Sequence, residues 1–413
     1  MSANQAFALL LGLASIILAA SLLGRVARWL GQPAVIGEVL AGILIGPTLF
    51  GGAIGQTLLP ADIRPFLSAL ASVGVAVFMF LVGLELDREL LRGSGRAAVS
   101  ISLTSILLPC TLGIGLGTYL LRTHESSHAL GFVLFMGVAM SITAFPVLAR
   151  ILTDRGMNRS PLGGLALTCA AIDDVLAWSL LAAVVTVLGA DVDQWRILLL
   201  IPYLLVMLVP VRLGLRWLIK VRHRAGQMTP GLVGIVLAGL LASAAATEWL
   251  GLHYMFGAFM FGIVMPRRGA AALRQELDER IGLVSNVLLL PVFFIVAGLK
   301  VNLSGLTAVD LTELGLILAV AIGGKFIGAF IAAKANRLSA RSSATIATLM
   351  NTRGLTELII LSVGLQLGVL DVKLYSLMVV MAVVTTAMAG PVLALTHPRR
   401  LNPVASADPT AKT

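Results

Sequence analysis

Five ionisable side chains lie near the middle of long apolar stretches of the sequence, where water is scarce. Asp173 and Asp174 lie midway along one stretch, and Lys325 lies midway along another. Arg353 and Glu357 lie in a third stretch, four residues apart and therefore on one helical face. A charge at the centre of a bilayer costs at least about 2.5–3.5 kcal/mol, so such residues are expected to be functional or paired.

The two adjacent aspartates suggest a site at which a proton and a cation compete. Neighbouring residues on a helix project about 100° apart, so Asp173 and Asp174 cannot reach the same point. We expect one of them to pair with Lys325 while the other faces a water-filled cavity. Burial and a like-charged neighbour both raise the pKa of a carboxyl group. A carboxylate that titrates near the working pH holds a proton or a hard cation, but not both, and that is sufficient for exchange.

Each of these assignments has a structural alternative. Asp173 with Lys325, and Arg353 with Glu357, can be ion pairs that only hold helices together, and we favour that reading for Arg353 and Glu357. Asp174 has no further intramembrane cation to neutralise it. A functional role is therefore favoured for this carboxylate.

Polar interruptions occur in two of the apolar stretches. Residues Ser141–Pro146 interrupt one and residues Asn351–Thr356 interrupt the other. Corresponding interruptions in two halves of a chain indicate unwound helices, whose ends offer backbone carbonyls and amides to an ion. The predicted crossover of these helices contains nine candidate residues: Ser141, Thr143, Ala144, Phe145, Pro146, Asn351, Thr352, Arg353 and Gly354.

The elements that position these residues are membrane helices. Of 413 residues, 58% are hydrophobic and 12% are charged, and the mean hydropathy is +0.98. A soluble core cannot bury so much apolar surface, and a lipid-facing sheet edge is not tolerated, so we predict an all-α polytopic membrane protein. Cys110 and Cys169 lie in apolar runs and are predicted to be packing residues. Thirteen segments are predicted to cross the membrane: about 6–23, 33–50, 64–84, 97–121, 129–150, 162–188, 195–215, 229–247, 252–266, 281–299, 311–333, 342–367 and 373–396.

Loop charge predicts the orientation of these segments. The loops after odd-numbered segments hold 23 of the 30 basic residues, whereas the opposite side holds 5. The positive-inside rule therefore places the N-terminus outside and the C-terminus in the cytoplasm. The same rule explains the net charge of +10 without a nucleic-acid partner.

An internal repeat relates the two halves of the chain. Residues Ala41–Pro47 resemble Phe261–Pro266, and Val77–Leu84 resemble Val292–Leu299. Both matches lie about seven segments apart, an odd number, so the two copies cross the membrane in opposite senses. Inverted repeats are typical of secondary transporters, whose ion sites lie near the midplane at the repeat interface.

Five motifs, taken in order, also resemble a known family. The chain is similar to the cation:proton antiporter-2 family of sodium or potassium/proton exchangers from about Pro33 to Pro391. The motifs are Gly37–Pro47, Thr143–Arg150, Asp173 with Asp174, Phe293-Phe294 with Gly298-Leu299, and Asn351–Leu358.

The resemblance implies roles for individual residues. Asp174 corresponds to the cation-binding carboxylate, and Asp173 to the carboxylate that pairs with a lysine matching Lys325. Family members with both charged residues commonly exchange more protons than cations. Thr143 and its neighbours match the crossover, so the ion or proton site is expected to include Asp174, Asp173 and Thr143.

The resemblance also implies an organisation. We expect a single transmembrane unit over 1–398, with a mobile core that includes about 97–188 and 311–396, a dimerisation bundle from the remaining segments, and a cytoplasmic tail at 399–413. It implies a homodimer in the cell (inner) membrane that uses no cofactor and is not an enzyme. Many relatives carry a cytoplasmic sensing domain, which is not expected here, since the sequence ends about 17 residues after the last predicted segment.

Several alternatives remain open at this point. A passive monovalent cation channel also needs acidic residues in a polar path, although no filter of carbonyls is evident. An intramembrane aspartyl protease needs aspartates on facing helices, which Asp173 and Asp174 are not. His124–His128 matches the zinc-protease pattern H-E-x-x-H, but we expect a solvated loop there. Glu38 is expected to be a packing residue or to line the ion path.

Overall fold

The chain is described here by a computed structural model. The described residues are 2–85, 95–124, 126, 128–157, 160–188, 199–250, 253–267 and 269–396. Within these ranges the secondary structure is helical, with no strand. Eight of the described helices are long and apolar enough to cross a membrane. The predicted class, an all-α polytopic membrane protein, is therefore confirmed, whereas the count of thirteen crossings stays a prediction. The predicted tail at 399–413 lies outside the described residues.

The helices are numbered in chain order. The first half contains α1 (Ala3–Trp29), α2 (Ala34–Ile45), α3 (Ala53–Leu58), α4 (Arg64–Glu85), α5 (Gly95–Leu120), α6 (Ala129–Ser141), α7 (Phe145–Asp154) and α8 (Pro161–Leu188). The second half contains α9 (Leu200–Val206), α10 (Arg212–Ala225), α11 (Pro230–Trp249), α12 (Tyr254–Val264), α13 (Ala271–Val284), α14 (Leu290–Gly298), α15 (Ala308–Ala335), α16 (Ala340–Met350), α17 (Leu355–Gln366) and α18 (Val372–Thr396). One π-helical turn joins α9 to α10 and another joins α13 to α14, so each pair continues as one rod.

The helices pack in two groups. The first group contains α1–α4 and α9–α14, and the second contains α5–α8 and α15–α18. Helices within a group pack against one another along their length, whereas α2 and α18 approach each other across the boundary between the groups. The second group contains both interrupted stretches and all five intramembrane charges that the sequence singled out.

Paired glycines show the symmetry that the repeat predicts. The repeat aligns Gly42 with Gly262 and Gly83 with Gly298. In the structure α2 crosses α14 where a Cβ added at Gly298 would lie 2.7 Å from the Cα of Gly42. In the same way α12 crosses α4, where a Cβ added at Gly262 would lie 2.3 Å from the carbonyl oxygen of Phe80. Each repeat thus contributes one helix to each crossing, and only glycine permits backbones to approach so closely.

The H-E-x-x-H segment differs from its prediction. His124 is 5% exposed and lies between two carboxylates. Its Nδ1 is 2.5 Å from Asp371 Oδ2, and its Nε2 is 3.0 Å from Glu313 Oε2. The expectation of a solvated loop is therefore wrong for His124, although His128 is exposed. The pattern could not reveal this, because the partners are about 190 and 250 positions away in the sequence.

His124 makes the stability of this end of the protein depend on pH. Burial disfavours the imidazolium, but the hydrogen bonds to Asp371 and Glu313 outweigh burial and raise the pKa of His124 above its ordinary 6.5. A raised folded-state pKa gives stability that is complete below pH 6.5 and is lost as the pH rises through the folded-state pKa. Another charged pair nearby is Lys373 with Asp310, at 3.0 Å.

We therefore expect His124→Gln to lower the free energy of unfolding by about 1–2 kcal/mol at pH 6 and by progressively less at alkaline pH. Thermal melting of the detergent-purified protein across this pH range measures the effect. His128→Gln, at an exposed position, is the matched control and should melt like the wild type throughout. A His124→Gln penalty that grows with pH would contradict the assignment of a protonated imidazole.

Candidate functional site

The two predicted interruptions lie against each other. Helix α6 ends at Ser141 and α7 begins at Phe145, while α16 ends at Met350 and α17 begins at Leu355. Between these ends, the amide of Ala144 donates to the carbonyl of Thr352 at 2.9 Å. The crossover is thus a point at which two unwound segments satisfy each other's backbone groups within the helical bundle.

Arg353 closes the free end of α6. Its Nη1 donates to the carbonyl of Ala139 at 2.7 Å, and its Nη2 donates to that of Met140 at 2.5 Å. These carbonyls lie in the last turn of α6, where intrahelical donors run out and the helix dipole is negative. Nη1 also donates to Glu357 Oε2 at 3.0 Å, and both side chains are fully buried. These contacts support the structural alternative for Arg353 and Glu357.

Asp173 lies in a closed cluster with Lys325. Lys325 Nζ is 3.0 Å from Asp173 Oδ2 and 2.5 Å from Thr143 Oγ1, and both charged side chains are completely buried. Thr143 Oγ1 is 2.7 Å from Asp173 Oδ2 and 3.0 Å from the carbonyl of Met350. A hydroxyl has one proton, so Thr143 accepts from Lys325 and donates to one of these two oxygens at a time. Ser105 Oγ lies 3.3 Å from the same carboxylate oxygen.

Asp174 has a different environment. Its side chain is 1% exposed, yet neither carboxylate oxygen has a hydrogen-bond partner in the described part of the chain. The backbone amide of Phe145, at the start of α7, approaches this carboxylate from the crossover without forming a well-aligned hydrogen bond. Burying an ionised carboxylate without partners costs roughly several kcal/mol, unless a proton, a water molecule or a cation binds to its oxygens. Both oxygens of Asp174 therefore have free capacity for a ligand, whereas Asp173 and Glu357 each have one bonded oxygen and one without a partner among the described residues.

Other oxygen atoms of the crossover are also available. Asn351 Oδ1 and Thr356 Oγ1 are buried and have no hydrogen-bond partner among the residues that the structure describes. The same ranges contain no cluster of three His, Cys, Asp or Glu side chains of the kind that holds a transition metal. A small number of carboxylate, amide and hydroxyl oxygens suits a hard monovalent cation better than a zinc-type ion.

The remaining candidate residues have local or packing contacts. Ser141 Oγ donates to the carbonyl of Val138 in its own helix at 2.7 Å. Gly354 lets the second interruption approach α7, since an added Cβ would lie 2.5 Å from Val147 Cγ2. Pro146 is the second residue of α7. Glu38 is partly buried, and its Oε1 lies near the Gly24 position of α1.

Sequence reasoning missed Ser105 and Trp178. Ser105 supplies a hydroxyl to Asp173 from α5, and Ser102 beside it donates to the carbonyl of Cys169 at 2.7 Å. The signal that could have found them is two hydroxyl residues spaced three apart on one face of an apolar helix. Trp178 lies four residues after Asp174 and is buried, with an indole nitrogen that has no partner in the described residues.

Comparison with known proteins agrees with this geometry. The transmembrane family described as sodium/hydrogen exchanger matches residues 15–397. The Na(+)/H(+) antiporter NhaS4 of Synechocystis sp. is 37% identical over 408 residues, covering 96% of this chain and 99% of that protein. The K(+)/H(+) antiporter 1 of Saccharomyces cerevisiae is 32% identical over 385 residues, covering 89% of this chain. The chain spans 44% of that yeast relative and 49% of the cation/H(+) antiporter 20 of Arabidopsis thaliana, to which it is 37% identical.

The fold also has a solved counterpart. The sodium proton antiporter MjNhaP1 of Methanocaldococcus jannaschii superimposes with a TM-score of 0.70 at 15% identity, covering 95% of this chain and 98% of that one. A crossover of two unwound helices and a buried carboxylate with no partner among the described residues are typical of secondary ion transporters. The chain belongs to the sodium/hydrogen exchanger family of monovalent cation:proton antiporters. The family resemblance is thereby confirmed, and membership in a family of exchangers does not support the passive-channel alternative.

Proposed function

We propose that the chain exchanges a monovalent cation, Na⁺ or K⁺, for protons by alternating access, with Asp174 as the group that the two ions share. The observation that carries this proposal is the contrast between the adjacent aspartates. Asp173 is neutralised by Lys325 at 3.0 Å, whereas Asp174 is as deeply buried and has no ion-pair or hydrogen-bond partner among the described residues. The cation itself is the transported substrate.

The exchange follows from the competition at Asp174. The ionised carboxylate attracts a cation, which Asn351 Oδ1, Thr356 Oγ1 and the unwound backbone can help to coordinate. On the other side of the membrane the cation leaves and a proton takes its place. Either ligand removes the uncompensated charge, so only occupied states pass through the low-dielectric region at modest cost. When Asp174 is ionised and empty, its charge opposes the movement of the site across the membrane. The cation and proton fluxes are therefore coupled.

Alternating access requires one helix group to move against the other. The second group, which holds the crossover and Asp174, corresponds to the expected mobile core over 97–188 and 311–396. The first group would then remain fixed and supply the homodimer contact in the cell (inner) membrane. The excess of basic residues in loops after odd-numbered segments supports thirteen crossings with the N-terminus outside and the C-terminus in the cytoplasm.

Reconstitution into proteoliposomes tests the proposed function. An inward Na⁺ or K⁺ gradient should drive protons outward, even when the membrane potential is held at zero with an ionophore for a different ion. A passive channel would dissipate the cation gradient without this coupled proton movement. Repeating the measurement with Na⁺, K⁺ and Li⁺ ranks the cations.

Exchange is also expected to be electrogenic. Lys325 is completely buried beside Asp173, and its ammonium group can carry an additional proton in each cycle. More protons than cations then cross, so the exchange rate should change with an imposed membrane potential. Complete insensitivity of the rate to potential would instead indicate one-for-one stoichiometry.

A further inference from the structure

A tryptophan lies next to the proposed ion site on the same helical face. Trp178 follows Asp174 by four residues in α8, so the two side chains are stacked one turn apart. The indole is 2% exposed, and its Nε1 has no hydrogen-bond partner among the described residues. Its ring stands edge-on against Phe256, with the ring centroids 6.3 Å apart and the planes at 84°.

This contact shows the direction in which Asp174 and Trp178 point from α8. Helix α8 belongs to the second helix group, whereas Phe256 is in α12 of the first group. Asp173 points into the second group, where it contacts Lys325. Asp174 and Trp178, rotated by about 100° from Asp173, therefore face the boundary between the groups.

A polar cavity lies at the start of α12, the helix that carries Phe256. It is formed between α4, the start of α12, the end of α14 and the end of α17, and thus also at the boundary between the two groups. His253, Tyr254 and Met255, which immediately precede Phe256 in the chain, line it together with Lys300 and Gln366. The distribution of basic residues places the loop that contains Lys300 outside, and it places the C-terminal end of α8 on the same side. Trp178 follows Asp174 in α8 and is therefore one turn nearer than Asp174 to the side of the membrane on which the cavity lies.

We propose that Trp178, held edge-on by Phe256, closes the route between Asp174 and the cavity lined by Lys300 and His253. An indole in close packing excludes water, and an apolar constriction bars ions by dewetting. Because the pair joins the two helix groups, it separates when they move, and the same displacement that turns Asp174 towards the cavity opens the route. Trp178 is a positioning residue for coupling and not a ligand of the ion. This inference rests on the proposed function of Asp174.

Cysteine labelling tests the barrier directly. The chain has two cysteines, so Cys110→Ala and Cys169→Ala give a cysteine-free background, into which Asp174→Cys is introduced. A membrane-impermeant methanethiosulfonate is applied to sealed vesicles of each orientation. Labelling from the Lys300 side should be slow in this background and should rise about tenfold or more when Trp178→Ala is added.

Control variants separate a barrier from a general loosening. Trp178→Phe keeps an aromatic ring and should leave labelling slow, as should Trp217→Ala, at a position in α10 that is 51% exposed. Phe256→Ala should raise the labelling rate as Trp178→Ala does, and it carries the test if Trp178→Ala does not fold. Rapid labelling from the Lys300 side with Trp178 present, or no increase in either alanine variant, would overturn the proposal. Labelling requires no bound cation, so this result is independent of whether Asp174 binds one.

Discussion

Asp174→Asn is expected to abolish cation-driven proton movement and to leave the protein folded. The amide has nearly the size and shape of the carboxyl group, but it takes up no proton and attracts no cation. Both carboxylate oxygens are buried without partners in the described structure, so removing the charge breaks no ion pair there. A buried charge without partners is itself unfavourable, and the thermal stability of the variant should equal or exceed that of the wild type.

Proteoliposomes carrying an internal pH indicator measure this effect. Exchange by Asp174→Asn should fall to the level of protein-free liposomes for Na⁺ and for K⁺. Asp62→Asn, at an exposed position before α4, is the matched control and should exchange at the wild-type rate. Near-normal exchange by a folded Asp174→Asn variant would remove this carboxylate from the mechanism.

Arg353→Met is expected to produce the largest loss of stability. The substitution leaves Glu357 as an uncompensated buried charge and removes the donors from the carbonyls of Ala139 and Met140. Removing one partner of a buried ion pair costs about 3–5 kcal/mol, and two unsatisfied carbonyls add to that cost. The variant should be recovered in low yield and melt far below the wild type.

Two variants distinguish the contributions at this position. Glu357→Gln keeps an acceptor for Arg353 and should be destabilised much less than Arg353→Met. Arg353→Lys keeps the charge but not the fork that reaches two carbonyls and a carboxylate, so an intermediate loss is expected. If Arg353→Met melts like the wild type, the guanidinium does not stabilise the end of α6.

The sequence predicted the parts of the site that follow from the energetics of charge in a membrane. Opposite charges at membrane depth need each other, so the sequence predicted that one of the two aspartates pairs with Lys325 and leaves the other without a partner, and the family resemblance indicated that Asp173 forms the pair. The crossover could be predicted because both interruptions break the apolar pattern at corresponding places in the repeat. These signals are local in sequence or depend on symmetry.

Contacts between segments that are distant in the sequence could not be predicted in this way. The bonds from Arg353 to the carbonyls of Ala139 and Met140 depend on where α6 ends in space, which no pattern specifies. His124 looked like part of a solvated loop because its partners come from the beginning of α15 and the segment before α18. Trp178 was one apolar residue among many until its neighbour on α12 was known.

The two glycine crossings have a mechanical consequence. At Gly42 with Gly298, and at Gly83 with Gly262, the backbones themselves touch, and no flexible side chain lies between them to adjust. A helix that slid by one residue, about 1.5 Å, would bring a neighbouring side chain against the opposite main chain. These crossings therefore prevent the crossing helices from sliding past each other and make the first helix group rigid. Any movement during ion exchange must then take place at other contacts. These are contacts in which side chains, which can adapt, and not backbones, touch each other.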